Sequence, residues 1–235
     1  MPLVLQKSKS LFEHPLHQHL RTHSYEQAIP TDHVDYMKML KHKFEFEPKV
    51  IYDIGAAVLH WSRVAKTIWP KSKLYAFDAT SSVEFLYVEN ALEYHIGALS
   101  DADGREVTFY QNDMYLGGNS YYPETNTMNY RPVVMRTSRL DTVVKDRGFQ
   151  LPDLIKIDVQ GAEVDVLKGM TQTLKSCQHL IVELQHEQYN RGAMLSAESV
   201  PFIESLGFKL VKPLFCNNGP DGDYHFQRIN YEYDK

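Results

Sequence analysis

Cysteine, basic charge and long apolar runs are all in short supply in this chain of 235 residues. The two cysteines, Cys177 and Cys216, form no CxxC pair and show no zinc-like spacing. That excludes a disulfide framework, and both thiols read as small buried apolar groups in a reducing compartment. Lysine and arginine number 25 against 30 acids, a net charge of −5. This balance argues against a nucleic-acid partner, which calls for a basic face. No stretch approaches the roughly 18 apolar residues of a membrane span. The first residues, MPLVLQKSKS, lack the apolar core of a signal peptide, so a cytoplasmic protein is expected. What remains, 43% hydrophobic and 23% charged, is the composition of one ordinary globular domain with a proper core. There is no internal repeat and no low-complexity tract.

Residues 1–30 read as a polar arm with no strong period. Its His14, His17, His19 and His23 lack the supporting carboxylates and fixed geometry of a metal site. A leading helix is expected over 31–48, where "TDHVDYMKMLKHKF" has an acidic first turn, a basic end and helical apolar spacing. From 49 to 235 the pattern becomes one α/β domain. Apolar strand-like runs at Val50–Ile54, Leu74–Phe77, Tyr94–Leu99, Leu154–Ile157 and Leu180–Leu184 alternate with helical patterns near 60–69, 82–92, 163–175 and 196–206. Near-continuous apolar strands between helices imply a mostly parallel sheet covered on both faces. "FKLVKP" and "DYHFQRI" add two C-terminal strands, one of them antiparallel, and 105–139 reads as an inserted hairpin with a long loop.

Glycine is scarce at the most informative place. "VIYDIGAAVLHWSRVA", residues 50–65, reads as strand, turn and helix start, yet the turn holds only Gly55. A dinucleotide loop needs three glycines, so that backbone can approach the pyrophosphate. Ala57 and Leu59 stand where that room would be, and Leu59 is expected to crowd a phosphate. S-adenosylmethionine (SAM) carries no phosphate, and Asp53 beside a single tight turn can serve its ammonium. Asp78, about 20 to 25 residues further on, stands at the end of the second strand, where an acid accepts hydrogen bonds from a ribose diol. The same residue would also serve as an N-cap for the helix that follows.

"LPDLIKIDVQGAEVDVLKGM", Leu151 to Met170, resembles the signature of the FkbM family of SAM-dependent methyltransferases. "IYDIGAAVLHWS", "YAFDATSS", "IGALSDADGREVTFY" and "LIVELQHEQY" fall in the order that the family shows. The resemblance implies a Rossmann-like class I methyltransferase, with SAM as cofactor and a hydroxyl, often on a sugar, as acceptor. It places Asp53, Gly55, Ala56 and Ala57 at the methionine end, Asp78 on the ribose, and Ala98, Leu99 and Ser100 around the adenine. The chain departs from the family pattern at Ala57 (Asn), Leu59 (Gly), Asp78 (Glu) and Gln160 (Glu).

Methyl transfer is an in-line displacement, and a sugar hydroxyl needs help to lose its proton. Asp158 ends the fourth strand, Glu183 ends the fifth, and His186 follows on the same rim. One reading makes Asp158 or His186 the base. Another makes Asp158, Glu183 and His186 ligands of a divalent cation, Mg or Mn, that acidifies the hydroxyl. Glu163 reads either as a cleft acid or as a stabiliser of its own helix N-terminus. Lys156, two residues before Asp158, should face the same way and orient it. In the insertion, Asn119, Ser120 and Tyr121 are the expected acceptor contacts, aromatic faces and amides being suited to a carbohydrate. "CNNGPDGDYHF" is a further turn-rich loop on the cleft side. Two rivals stay open: an NAD(P)-dependent oxidoreductase, and a non-catalytic member that binds a glycan or a partner.

Overall fold

The computed structural model describes residues 15–26, 28–125 and 129–229; His14 lies outside them. Seven strands form the main sheet: β1 (Val50–Ile54), β2 (Lys73–Asp78), β3 (Glu93–Ile96), β6 (Leu154–Ile157), β7 (His179–Gln185), β8 (Phe208–Asn217) and β9 (Asp221–Arg228). Their spatial order is β3-β2-β1-β6-β7-β9-β8. All neighbours pair in parallel except β9, which runs antiparallel to both β7 and β8. The strand order reverses between β1 and β6, the position where open α/β sheets place their ligands. The inserted hairpin is β4 (Glu106–Gln111) paired antiparallel with β5 (Arg131–Arg136).

Strand alternation divides the core in two. Tyr52, Ile54, Phe77 and Ile157 face α5 (Leu140–Arg147), α6 (Glu163–Lys168) and α7 (Ser196–Ser205). Ile51, Leu74, Ala76 and Leu154 face α1 (Pro15–Glu26), α2 (Thr31–Lys43), α3 (His60–Ile68) and α4 (Glu84–Glu89). Asp53 and Lys156 share the parity of Ile51 and Leu154, and they are register partners across β1 and β6. Two opposite charges therefore enter the second layer side by side. Among the described residues no helix is long and apolar enough to cross a membrane.

The N-terminal segment differs from the polar arm expected of it. Residues 15–26 form α1, which docks over the β1 turn and the insertion. Leu20 is 1% exposed in the second core. Ser24 Oγ donates to the Val58 carbonyl at 2.5 Å, and Arg63 donates to Ser24. Arg21 makes a two-pronged pair with Glu89, at 3.0 and 2.5 Å. His17 stacks on Phe85 and His19 bonds the Met114 carbonyl, so these histidines serve packing. A single buried leucine with several polar ties suffices for a 12-residue helix of about three turns whose sequence shows no strong period. Further on, α2 is fixed by the Tyr36 hydroxyl, 2.7 Å from His225 Nδ1, whose Nε2 lies 2.9 Å from His179 Nδ1. Burial pushes both histidines down, to about 4 for His179 and about 3 for His225, and leaves them neutral at pH 7.

Leu20→Ala removes the deeply buried apolar side chain of α1, costing about 2 kcal/mol or more of docking free energy. Amides of 15–26 should then exchange at least about tenfold faster while those of β1 keep their protection. Unchanged exchange in α1 would show that the polar ties hold the helix alone.

Candidate active site

The turn after β1 keeps left-handed backbone at alternate positions: φ is 85° at Gly55, 41° at Ala57 and 68° at Leu59. The glycine-poor loop thus takes the shape of a glycine-rich one, at a cost of roughly 1–2 kcal/mol for each non-glycine residue. At Leu59 burial offsets that cost. Its side chain is 1% exposed in the second core and lines neither cleft, so it does not crowd the ligand space as expected. At Gly55 no offset is available. A Cβ there would stand 1.7 Å from the carbonyl oxygen of Asp158, because the β1 turn and the end of β6 touch backbone to backbone.

Two clefts open on either side of this contact and share Gly55, Ala57 and Asp158. The first, about 750 Å³ with its open mouth, lies over β1, β2 and the end of β3. Asp78, Ala98 and Leu99 line it, together with Ala79, Gly97 and Val159. Asp78 accepts the Ala57 N–H at 2.8 Å and the Thr80 N–H at 2.7 Å, joining the two turns while facing the cavity. Ser100 is fully buried behind the lining, within hydrogen-bond reach of Tyr121 and Arg105, and does not reach the cleft. Asn119, Ser120 and Tyr121 line this same cleft. Asn119 donates to Thr80 Oγ1 at 3.1 Å and Tyr121 reaches the Leu99 carbonyl at 3.4 Å. The insertion therefore folds down onto the Asp78 side instead of forming a separate wall.

The second cleft, about 630 Å³, is polar, and Asp53, Ala56, Lys156 and Glu183 line it with His33 and Trp61. Asp53 accepts Ser62 Oγ at 2.6 Å, and burial lifts its carboxyl to about 6 against the pull of Lys156 and Ser62. Lys156 Nζ sits 2.7 Å from Asp158 Oδ2. Gln160 Nε2 bridges Asp158 at 2.9 Å and Glu183 at 2.6 Å, so this position supplies a donor where a third carboxylate would repel. The low-dielectric surroundings oppose ionisation of Asp158, but Lys156 and bonds from Glu183 and Gln160 hold its carboxylate below the ordinary range. Burial first, then Asp158, push Glu183 well up. Burial and the neighbouring carboxylate thus make Glu183 the weaker acid of the coupled pair and Asp158 the stronger.

His186 is not brought to the pair. It lines neither cleft, and its backbone N–H donates to the Pro220 carbonyl. With Lys156 already neutralising Asp158, the expected set of Asp158, Glu183 and His186 does not fit a divalent cation. Glu163 takes the stabilising role: its Oε1 accepts the N–H groups of Val159 at 3.0 Å and Gly161 at 3.1 Å. Sequence reading missed Tyr189, whose hydroxyl meets Gln160 Oε1 at 3.1 Å and Asp221 at 2.5 Å. The turn-rich loop does contribute, as Asn218 donates to Glu183 at 3.3 Å.

The methyltransferase FkbM domain matches residues 53–210, which carry both turns, the insertion and the carboxylate pair. The chain belongs to the FkbM methyltransferase family. Membership replaces the oxidoreductase alternative. The 2-O-methyltransferase NoeI of Sinorhizobium fredii is 26% identical over 197 residues, 76% of this chain and 81% of that protein. The hexuronic acid methyltransferase AglP of Haloferax volcanii is 26% identical over 159 residues, 64% of this chain and 61% of its own length. The O-methyltransferase TomG of Streptomyces achromogenes, solved with SAM, shares the fold. Its TM-score is 0.51 at 10% identity, over 93% of this chain and 90% of that one.

Gly55→Ala should destabilise by more than the ~1–2 kcal/mol of its left-handed φ alone, since backbone must also move. Ala57→Gly should stay within about 1 kcal/mol of wild type or exceed it. Urea denaturation of the two proteins distinguishes them. Burial raises Glu163 to about 7. Between about pH 4.5 and 7 the folded state keeps a proton that the unfolded chain has released, so stability falls as pH rises through that window. Glu163→Gln keeps an oxygen acceptor for both amides and should remove roughly 3 kcal/mol of this dependence. Parallel pH profiles of unfolding free energy would refute the assignment.

Proposed function

We propose that the protein is a SAM-dependent O-methyltransferase acting on a sugar hydroxyl, within a glycan or an activated sugar such as a deoxyhexose. The observation that carries this reading is the meeting of the two clefts at Gly55, Ala57 and Asp158. One side suits a nucleoside and the other a polar acceptor, and a carboxylate stands where they join. The names of the two curated relatives, one a 2-O-methyltransferase and the other a hexuronic acid methyltransferase, support a sugar. The two free thiols, Cys177 and Cys216, suit a reducing cytoplasm.

When bound, SAM supplies an electrophilic methyl group on a sulfonium. Asp78 keeps acceptor capacity toward a ribose diol, since a carboxylate offers about four lone-pair sites and two are used. Ala98 and Leu99 give an apolar wall for the adenine. Asn119, Ser120 and Tyr121 close the nucleoside side, in place of the acceptor contacts first assigned to them. Asp53, Gly55, Ala56 and Ala57 frame the methionine end. Asp158 then faces the joining point, and with Glu183 it forms the unit that takes the hydroxyl proton. Gln160 and Lys156 hold that unit in place. The Mg or Mn alternative has no support in this donor set, so the proton goes to the carboxylate pair.

The Glu183 proton sets the pH dependence. While Glu183 holds it, the pair carries one negative charge and accepts a second proton weakly. Loss of that proton generates the base, so kcat/KM should rise with pH along a single limb. Glu183→Gln should abolish the limb and lower the rate by about 100-fold or more. Titration calorimetry with S-adenosylhomocysteine, NAD as control, tests the nucleoside side first; a panel of glycans then tests acceptors. Full activity in Glu183→Gln would reject the base assignment. Binding of the nucleoside with no acceptor methylated, but a glycan bound, would favour the non-catalytic binding member.

A further inference from the structure

His33, Cys216 and Asp223 lie far apart in sequence and belong to α2, β8 and β9. Their ligand atoms all lie within 4.8 Å of one another, and all three residues are buried. His33 Nε2 stands 2.9 Å from Asp223 Oδ2. Asp223 is 1% exposed, and neither of its carboxylate oxygens accepts a hydrogen bond. A buried carboxylate ordinarily collects several donors, and one left without them is costly. Here a nitrogen and a sulfur converge on it instead. The His33 ring is held by edge-on packing against Phe215, with centroids 5.4 Å apart, and its Nδ1 is also without a partner.

We propose that His33, Cys216 and Asp223 form a zinc site that fastens α2 to the C-terminal β8–β9 hairpin. Nitrogen, thiolate sulfur and carboxylate oxygen are the donor set that zinc takes, and three protein donors leave its fourth position to water. Charge balances without further groups. A divalent ion is neutralised by Asp223 and by the Cys216 thiolate, whose proton is released on binding. The nearby ammonium of Lys156 is 4.0 Å from Asp223 Oδ1 but only 2.7 Å from Asp158. Its charge is thus spoken for by Asp158, and the Oδ2 side of Asp223 is left to the metal. The Cys216 thiol lies 3.5 Å from Asn218 Oδ1, a contact that metal binding would replace, whereas Cys177 lies outside the group and its Sγ bonds the His179 carbonyl at 3.1 Å.

The site sits against the polar cleft, which His33 also lines. Binding there ties the helix over that cleft to the strand whose neighbour carries Glu183. It holds independently of which acceptor the enzyme uses, and independently of methyl transfer itself.

The test is metal analysis of the tag-free full chain, followed by cobalt titration of the EDTA-treated protein. One equivalent of zinc per chain is expected, with a thiolate-to-cobalt charge-transfer band in the near ultraviolet. The band should vanish in Cys216→Ser and in Asp223→Asn, and persist in Cys177→Ser. Zinc should raise Tm by several degrees in the wild type and leave Cys216→Ser unchanged. Metal-free wild type that gives no such band with cobalt overturns the proposal. So does a band that survives Cys216→Ser, which would place the ion on Cys177.

Discussion

The backbone contact between Gly55 and the carbonyl of Asp158 is the constraint on which the rest of the site depends. It brings the β1 turn against the end of β6 at the point where strand order reverses, so two clefts lie on either side of it and share Gly55, Ala57 and Asp158 as lining. Because the turn must pass so close, its backbone has to be left-handed at alternate residues. Two of those three residues are not glycine. The strain at Leu59 is tolerated because the same conformation drives a large side chain into the core, and full burial of a leucine stabilises by about as much as the strain costs.

Electrostatics at the carboxyl ends of the strands are organised by one buried cation. Lys156 is 4% exposed and has Asp53 as its register partner, Asp158 at 2.7 Å and Asp223 at 4.0 Å. An ammonium in that position can neutralise one carboxylate fully but not all of its neighbours. Beside it Asp158 is held below the ordinary range, whereas at Asp53 and Glu183 burial outweighs its pull and pushes both up. The two acids of one cleft are thereby set apart, Asp158 as the stronger and Glu183 as the weaker. Gln160, in the place of the family's usual glutamate, bridges the two without adding a further negative charge.

Closure of the site comes from parts outside the alternating α/β pattern. The insertion lays Asn119 to Tyr121 over the Asp78 side, and α1 ties the insertion to α3 and α4 through His19, His60 and Arg21. On the other side α2 carries His33 to the polar cleft, held through Tyr36 by a neutral histidine pair. The N-terminal helices and the C-terminal hairpin thus meet beside the polar cleft although 189 residues separate Tyr36 from His225.

By itself the sequence determined the sheet, its near-parallel run, the antiparallel C-terminal strand and the inserted hairpin. Apolar periodicity is a local property, and the central strands β1, β6 and β7 carry it in full. It also determined the positions of Asp53, Gly55, Asp78 and Asp158, because strand ends in such a sheet point to one rim whatever surrounds them. Tertiary structure alone decided which way Leu59 points, that Ser100 is sealed behind the cleft wall, that His186 turns away, and that Asn119 to Tyr121 close the Asp78 side. It also decided that residues 15–26 form a docked helix, through Leu20 and a set of polar ties to distant loops. The same holds for the meeting of His33, Cys216 and Asp223. Each of these depends on contacts between segments far apart in the chain, and no short-range period or spacing encodes them.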